Sequence, residues 1–509
     1  MGATQYYRSQ IGEESVIDYS HTDPPLKLLA KDIYYFFIYV WALPWVVWPV
    51  YPCKSKEFDE LYPSSQNIFC IVVHFILIIL QLGFVLALPF AIILPVWMAG
   101  AGITGFMIVN WLLCKLLNGK KETYKSEEKY AKELPEHAHE QWVFLNGVAV
   151  GEHWMQSNLN RLALTFGRPI LGIHNQTSGI IFDVVECLIQ RNFGYATGDV
   201  RICFRLLKDI LYDQSKSKVV FILHSQGGIE GGLVLDWLLQ ELPQDLMSKL
   251  EVYTFGNAAN HFNNPHRHRS SATLSRLNPL SAMNTFLTES SFDSPSSSPV
   301  DTKLDSNNNK TRNPVRKESS GVSTRSVSAA KDRCIKHVEH YANGTDFVAI
   351  WGILHFATNR MESRELPRFQ GRLFARADGR YGGHQMNQHY LNAMFPLKHD
   401  ADTGEYTGAD EDNEFMEEEF KVGEEGSASA NAREAFEISW AGTQGFGTGD
   451  ASTPIEVHGI SEKLERATEN HGIRVKDVSR LWSYRNGRSP IELPPMLVDE
   501  KGVARTATL

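Results

Sequence analysis

The sequence predicts an α/β protein: a mainly parallel sheet flanked by helices, preceded by hydrophobic membrane helices and carrying a disordered insertion and tail. Three observations predict it. Val219 to Leu223 is a continuous apolar, β-branched run as long as a strand covered on both faces, and behind it Leu233, Val234, Trp237, Leu238 and Leu242 recur at helical spacing until Pro243 stops them. Strand-sized and helix-sized segments alternate from Gln141 to Pro396, the order of a parallel sheet with right-handed crossovers. From Asn67 to Cys114 there is no Lys, Arg, Asp or Glu, a longer uncharged run than a soluble core supplies.

Taken in order, residues 1–30 are polar, lack a core pattern and read as a disordered lead-in without a cleaved signal sequence. Residues 31–115 form the hydrophobic anchoring region. Its first part, Ile33 to Tyr51, is long enough for one bilayer pass, but its aromatic residues are spread along it and Pro44 and Pro49 interrupt it. A spanning helix and an interfacial, half-inserted one both fit. Its second part, Asn67 to Cys114, suffices for two passes, with Pro89, Pro95, Gly100 and Gly102 marking a turn between two limbs. Lys54 and Lys56 before it and Lys115, Lys120 and Lys121 after it favour a hairpin whose ends are both cytosolic. Residues 116–140 are charged and read as a linker helix.

The soluble domain is expected over 141–264 and 333–398. Gln141 to Val150 reads as a strand and loop, HWMQSNLNRLALTF as a helix, and Pro169 to Gly179 as the next strand and turn. Two further helical stretches lead to the central strand, KVVFIL, which runs through HSQGG into the helix IEGGLVLDWLLQEL. A serine at such a strand-to-helix turn holds its hydroxyl above the sheet edge, and the amide of the next residue points into the same space.

This stretch, LHSQGG, resembles the GxSxG elbow of the α/β-hydrolase superfamily, and within it of lipase-like serine hydrolases. The resemblance covers about Gln141 to Pro396. It departs from the pattern at Leu223, where the family usually has glycine; Gly227, Gly228, Gly231 and Gly232 leave room for close helix-to-sheet contact nearby. It implies that Ser225 is the nucleophile, that Gln226 supplies one oxyanion amide, and that Gly147 or Val148, in an NGV loop where many lipases carry HG, supplies the other. TFGNAAN is similar to the TFG after the corresponding lipase strand.

Chain order in the family is Ser, Asp, His. It places the aspartate at Asp346, after a strand from Val338 to Ala342, where the residue could equally cap the helix that follows. The histidine falls in ADGRYGGHQMNQHYLNAMF, after a last strand from Arg368 to Arg376. A triad histidine must swing over the sheet edge, which favours His384 in the glycine-flanked loop, with His389 on the following helix as the alternative. His224 adjoins the serine and is directed away from it. Residues 265–332, rich in Ser, Asn and Pro, read as a disordered insertion. Residues 399–509 read as an acidic, mostly disordered region in which GIRVKDVSRLWSYRNG has enough apolar spacing to dock.

A net charge of -9 without a basic stripe argues against nucleic acid as partner. The six cysteines are scattered, with no CxxC, so neither a disulfide framework nor a metal site is expected, and no cofactor is implied. The expected partners are membrane lipids and an acyl-ester substrate; oligomeric state is left open. The resemblance implies a serine hydrolase of acyl esters; the apolar run makes it a membrane-anchored one with a cytosolic catalytic domain, at the endoplasmic reticulum or a lipid-droplet surface, and that place favours lipids as substrate. A transacylase with the same triad and a non-catalytic membrane scaffold are the alternatives.

Overall fold

The computed structural model describes residues 4–11, 22–50, 56–284, 286–288, 326–358, 368–377, 382–419, 421–422, 474–490, 496–498 and 504–506. The centre of the Ser-rich insertion and most of the acidic tail lie outside the described residues, as does Lys54.

Among the described residues the main sheet has nine strands: β1 (Gln5–Tyr7), β2 (Thr123–Lys125), β3 (Glu140–Leu145), β4 (Ile170–Ile173), β5 (Lys218–His224), β6 (Leu250–Phe255), β7 (His337–Asn343), β8 (Arg372–Arg376) and β9 (Lys421–Val422), in the order β9-β1-β8-β7-β6-β5-β3-β4-β2. The six from β4 to β8 pair in parallel, while β2 and β1 pair antiparallel on the two flanks. Because successive strand side chains point to opposite faces, β5 feeds two cores. Val220 and Ile222 join Trp142, Phe144, Tyr253 and Phe255 on one side; Val219, Phe221 and Leu223 join Val143, Leu145 and Val252 on the other. Helix α4 (Glu152–Phe166) covers the first face, and α6 (Gly198–Tyr212) and α7 (Gln226–Glu241) cover the second.

Leu223 is accommodated by glycine across the interface. A Cβ on Gly231 would lie 2.5 Å from a Leu223 methyl, so the side chain that the strand adds is matched by one that the helix lacks.

Before the sheet, α2 (Ser65–Ala87) and α3 (Val96–Asn118) belong to two helical stretches long and apolar enough to cross a membrane. Phe84 stacks on Phe106 at 3.9 Å and Gln81 bonds Asn110, which makes the helices antiparallel. Their few buried polar side chains fasten them to the sheet domain. Gln81 Nε2 and Asn110 Nδ2 both donate to the Ser178 carbonyl, at 2.7 and 3.1 Å, and the Asn118 side chain pairs with the backbone of Thr177.

Three segments differ from expectation. Residues 5–7 form β1 within the lead-in read as disordered, because β8 offers an open edge to pair with. The described part of the aromatic run, Ile33 to Val50, is not one spanning helix: α1 (Pro25–Ile38) gives way to a 3-10 segment, Val40–Val46, that contains Pro44. Asp32 turns α1 toward α5 (Ile180–Phe193), where it accepts from Arg191 Nε at 2.7 Å and from the Asn192 amide at 2.5 Å. The linker read as a helix is β2 and a 3-10 turn at Pro135–His137, since α3 ends at Gly119, whose φ of 66° turns the chain out of the helix, and β4 leaves an edge to be filled.

Segment 474–490, expected to be able to dock, does so in the layer over the first face of the sheet. Arg480 forms a fork on Glu251 (Nη2–Oε1 2.7 Å, Nε–Oε2 3.0 Å), and the Tyr484 and Tyr253 hydroxyls donate to the same carboxylate at 2.8 Å each. Glu251 and Glu339 are charged residues inside buried strands. The C-terminal segment supplies what they need, with the Arg480 amide donating to Glu339 at 2.8 Å. The described part of the insertion includes two helices, Arg269–Leu277 and Pro279–Asn284.

Candidate active site

Ser225 is the turn between β5 and α7. Its backbone sits at φ 58°, ψ −123°, a region that L-residues rarely occupy, so the surrounding structure has to hold it there. The Ser225 amide donates to the Phe255 carbonyl at 3.1 Å, and the Ser225 carbonyl accepts from Gly228 at 2.9 Å and Ala258 at 3.2 Å. Gly227 lets α7 approach the end of β3: a Cβ there would lie 2.6 Å from the Leu145 carbonyl oxygen.

Strand ends bring the remaining groups to this turn. His384 Nε2 lies 2.9 Å from Ser225 Oγ, and His384 Nδ1 lies 2.9 Å from Asp346 Oδ2. Asp346 follows β7, and both readings of it hold at once because a carboxylate has two oxygens. Oδ1 accepts from the Val348 amide at 2.8 Å, capping the helix Phe347–Trp351, while Oδ2 faces the imidazole. The histidine loop is held by Asn343 Nδ2, which donates to the Gly383 carbonyl at 3.0 Å, and by the Thr345 hydroxyl, which donates to Gly382 at 2.7 Å.

His389 is not part of this arrangement. Its Nδ1 accepts from the Gln385 amide and its Nε2 donates to the Pro49 carbonyl at 2.7 Å; burial lowers its pKa to about 4, so it serves as a neutral brace. His224 also points away from the hydroxyl. Its ring lies 4.8 Å from that of His384 and its Nε2 donates to the His384 carbonyl at 2.9 Å, while burial keeps it well below the usual histidine range. A neutral neighbour adds no charge against the imidazolium that His384 would become.

The expected oxyanion residues meet around the serine. Gln226 opens α7, so its amide has no acceptor within the helix. Gly147 packs against Ser225, since a Cβ on it would lie 2.4 Å from Ser225 Cβ and 3.0 Å from Oγ. Val148 follows, half-buried, before Ala149 at φ 63°. Side chains that sequence reasoning did not place here brace this loop. Asn175 accepts Asn146 Nδ2 on its carbonyl at 2.8 Å and donates from its own side chain to Gln226 Oε1 at 3.0 Å, and Gln226 Nε2 donates in turn to Glu186 and Gln190 at 3.1 Å each.

Glu186 gives this network a pH dependence. Burial first, and then the Asp183 and Asp199 carboxylates, push its carboxyl up to about 7. A carboxyl raised above its unfolded value of about 4.3 contributes stability that is complete below that pH and lost as pH rises through the folded value. Glu186→Gln is therefore expected to flatten the fall in thermal stability between about pH 5 and 8, read from melting curves of both proteins across that range.

Tyr390 was equally illegible in the sequence, where it reads as one more helical residue. Its hydroxyl donates to Asp346 Oδ2 at 2.6 Å and accepts from the Asn343 amide at 3.2 Å. Tyr390→Phe is expected to lower the unfolding free energy by about 1.5–3 kcal/mol, the usual worth of a hydrogen bond to a charged group. If Asp346 orients the imidazole, kcat falls with it while KM changes little; denaturant titration and steady-state kinetics on one variant read both effects.

Among the described residues, no group of three or more His, Cys, Asp or Glu side chains could hold a metal ion. No family model, no curated protein and no solved structure matches the chain.

Proposed function

We propose that this chain is a membrane-anchored serine hydrolase of the α/β-hydrolase type that cleaves acyl esters of lipids. The observation that carries the reading is the unbroken line of two 2.9 Å contacts from Ser225 Oγ through His384 to Asp346. In this mechanism His384 Nε2 takes the hydroxyl proton as Oγ bonds to the ester carbonyl carbon. Asp346 holds the proton on Nδ1, which fixes the tautomer able to accept at Nε2 and stabilises the imidazolium. The amides of Gln226 and of Gly147 or Val148 would bind the oxygen as it becomes negative, each worth about 2.7–4 kcal/mol in the transition state. The imidazolium returns its proton to the leaving alcohol. Water, deprotonated by the same imidazole, then releases the acid from the acyl-serine.

Lipid is the substrate class favoured by place, because the apolar helices are fastened to the Ser178 loop, three residues from the Asn175 that braces Gln226. The test is labelling of the full-length protein by a fluorophosphonate. Modification at Ser225, absent in Ser225→Ala, supports the reading, and no labelling of folded wild-type protein overturns it in favour of a scaffold. Products formed with and without an added alcohol separate hydrolysis from acyl transfer.

A further inference from the structure

We infer that the sheet domain is itself seated in the lipid, through one continuous apolar face made by α1, the Val40–Val46 segment and α5 beside the α2–α3 hairpin. The inference rests on the membrane placement proposed above and not on the catalytic reading.

It begins with the outward sides of α5 and of the part of α1 beyond Lys31. On α5, Val185, Ile189 and Phe193 recur at four-residue spacing and are 47, 41 and 46% exposed, a stripe that a soluble helix would make polar. The charged side chains of α5 are turned inward: Asp183 and Arg191 are buried, and Glu186 is half-buried against Gln226. On α1 and the segment after it, Tyr34, Phe37 and Trp41 are 60, 67 and 57% exposed, and no charged residue occurs from Ile33 to Val50. The two surfaces join, since Asp32 of α1 is bonded to Arg191 of α5. They also join the hairpin, because Phe182 of α5 packs edge-on against Phe84 and Phe106 at 6.1 and 6.0 Å.

The hairpin then decides what covers this face. Gln81 and Asn110 hold the Ser178 carbonyl at a level about 24 Å along α2 from Ser65. Past that level only Leu82–Ala87 and the 3-10 turn Leu88–Ile93 remain, about 20 Å at most, against a hydrocarbon core of about 30 Å. If only that tip entered the bilayer, Val72, Phe75 and Ile79 of α2, 49, 63 and 55% exposed, would face water. Covering them with lipid brings the domain packed on the other side of α2 to the same depth. The surface it presents there is α5 and α1, which are apolar as that depth requires. The outward side of α6, by contrast, carries the exposed Arg201, Arg205 and Asp209.

The carbonyls of Val46 and Pro49 accept from Gln385 and His389, so the loop carrying His384 is fastened to this same face.

The experiment places p-benzoylphenylalanine singly at positions 37, 41, 189, 79 and 212 of the full-length protein in phosphatidylcholine vesicles. After irradiation, lipid adducts are read by mass spectrometry. Adducts from 37, 41 and 189 as well as 79, and none from 212 on α6, are the expected result. Adducts from 79 alone, or protein in place of lipid at 37, 41 and 189, overturn the seated face while leaving the anchor standing. No lipid adduct at any position overturns both. Fluorophosphonate labelling of the same samples scores the catalytic reading separately.

Discussion

Ser225→Ala is expected to lower kcat on an acyl ester by a factor on the order of 10⁴ to 10⁶, with the protein folded as before. Ser225 is buried and its Oγ makes one side-chain contact, to His384, so removing the oxygen leaves no charge unpaired. In the proposed mechanism the nucleophile and its base act as a unit. His384→Ala should therefore cost about as much, and the double variant Ser225→Ala/His384→Ala hardly more than either single one. Steady-state kinetics on the three variants check this. Additive losses, or an alanine variant that keeps more than a tenth of the wild-type rate, would remove Ser225 from the chemistry. His389→Ala separates the two histidines of the segment: it breaks the bond to Pro49 and is expected to lower stability well before it lowers kcat.

The second large effect concerns stability. Arg480→Ala is expected to lower the unfolding free energy by about 3–5 kcal/mol, the range found when one partner of a buried ion pair is removed and the other charge stays behind. Glu251 is fully buried, and burial alone would push its carboxyl upward. The Arg480 guanidinium, with Lys336 further away, more than offsets this and holds it well below the usual carboxylate range. Its contribution is therefore complete above its unfolded value of about 4.3 and lost as pH falls below it. Wild-type protein should lose this contribution on acidification, whereas Arg480→Ala has less of it to lose. Denaturant titrations at pH 7 and pH 4 give both numbers, and a loss below about 1 kcal/mol at pH 7 would mean that the C-terminal segment merely lies on the sheet.

Where each group came from shows what a sequence can carry. The elbow was legible because its signals are local: a strand-length apolar run, a turn of small residues and a helix pattern touch in sequence as they touch in space. Asp346 and His384 were legible at one remove, by chain order and by loop position, and the choice against His389 followed from the reach a histidine needs. The residues that brace them were not. Tyr390, Asn175 and Glu186 belong to helices and loops with no pattern of their own, and their roles exist only once strands far apart in sequence align. The docking of 474–490 had the same cause, since the partners of Arg480 and the Tyr484 hydroxyl are the glutamates of strands placed long before them in the chain. The aromatic run left a spanning helix and an interfacial one equally open because apolar composition does not separate them; the buried Asp32, bonded to Arg191, is what speaks against the spanning one.

The first strand, finally, limits how the hydrophobic stretch can thread. Gln5–Tyr7 pair residue by residue with Leu373–Ala375, so the chain ahead of Ser65 and the chain beyond Asn118 are stitched into one sheet. Whatever depth the helices reach between those points, any complete crossings come in pairs. One and three are forbidden by hydrogen bonds alone.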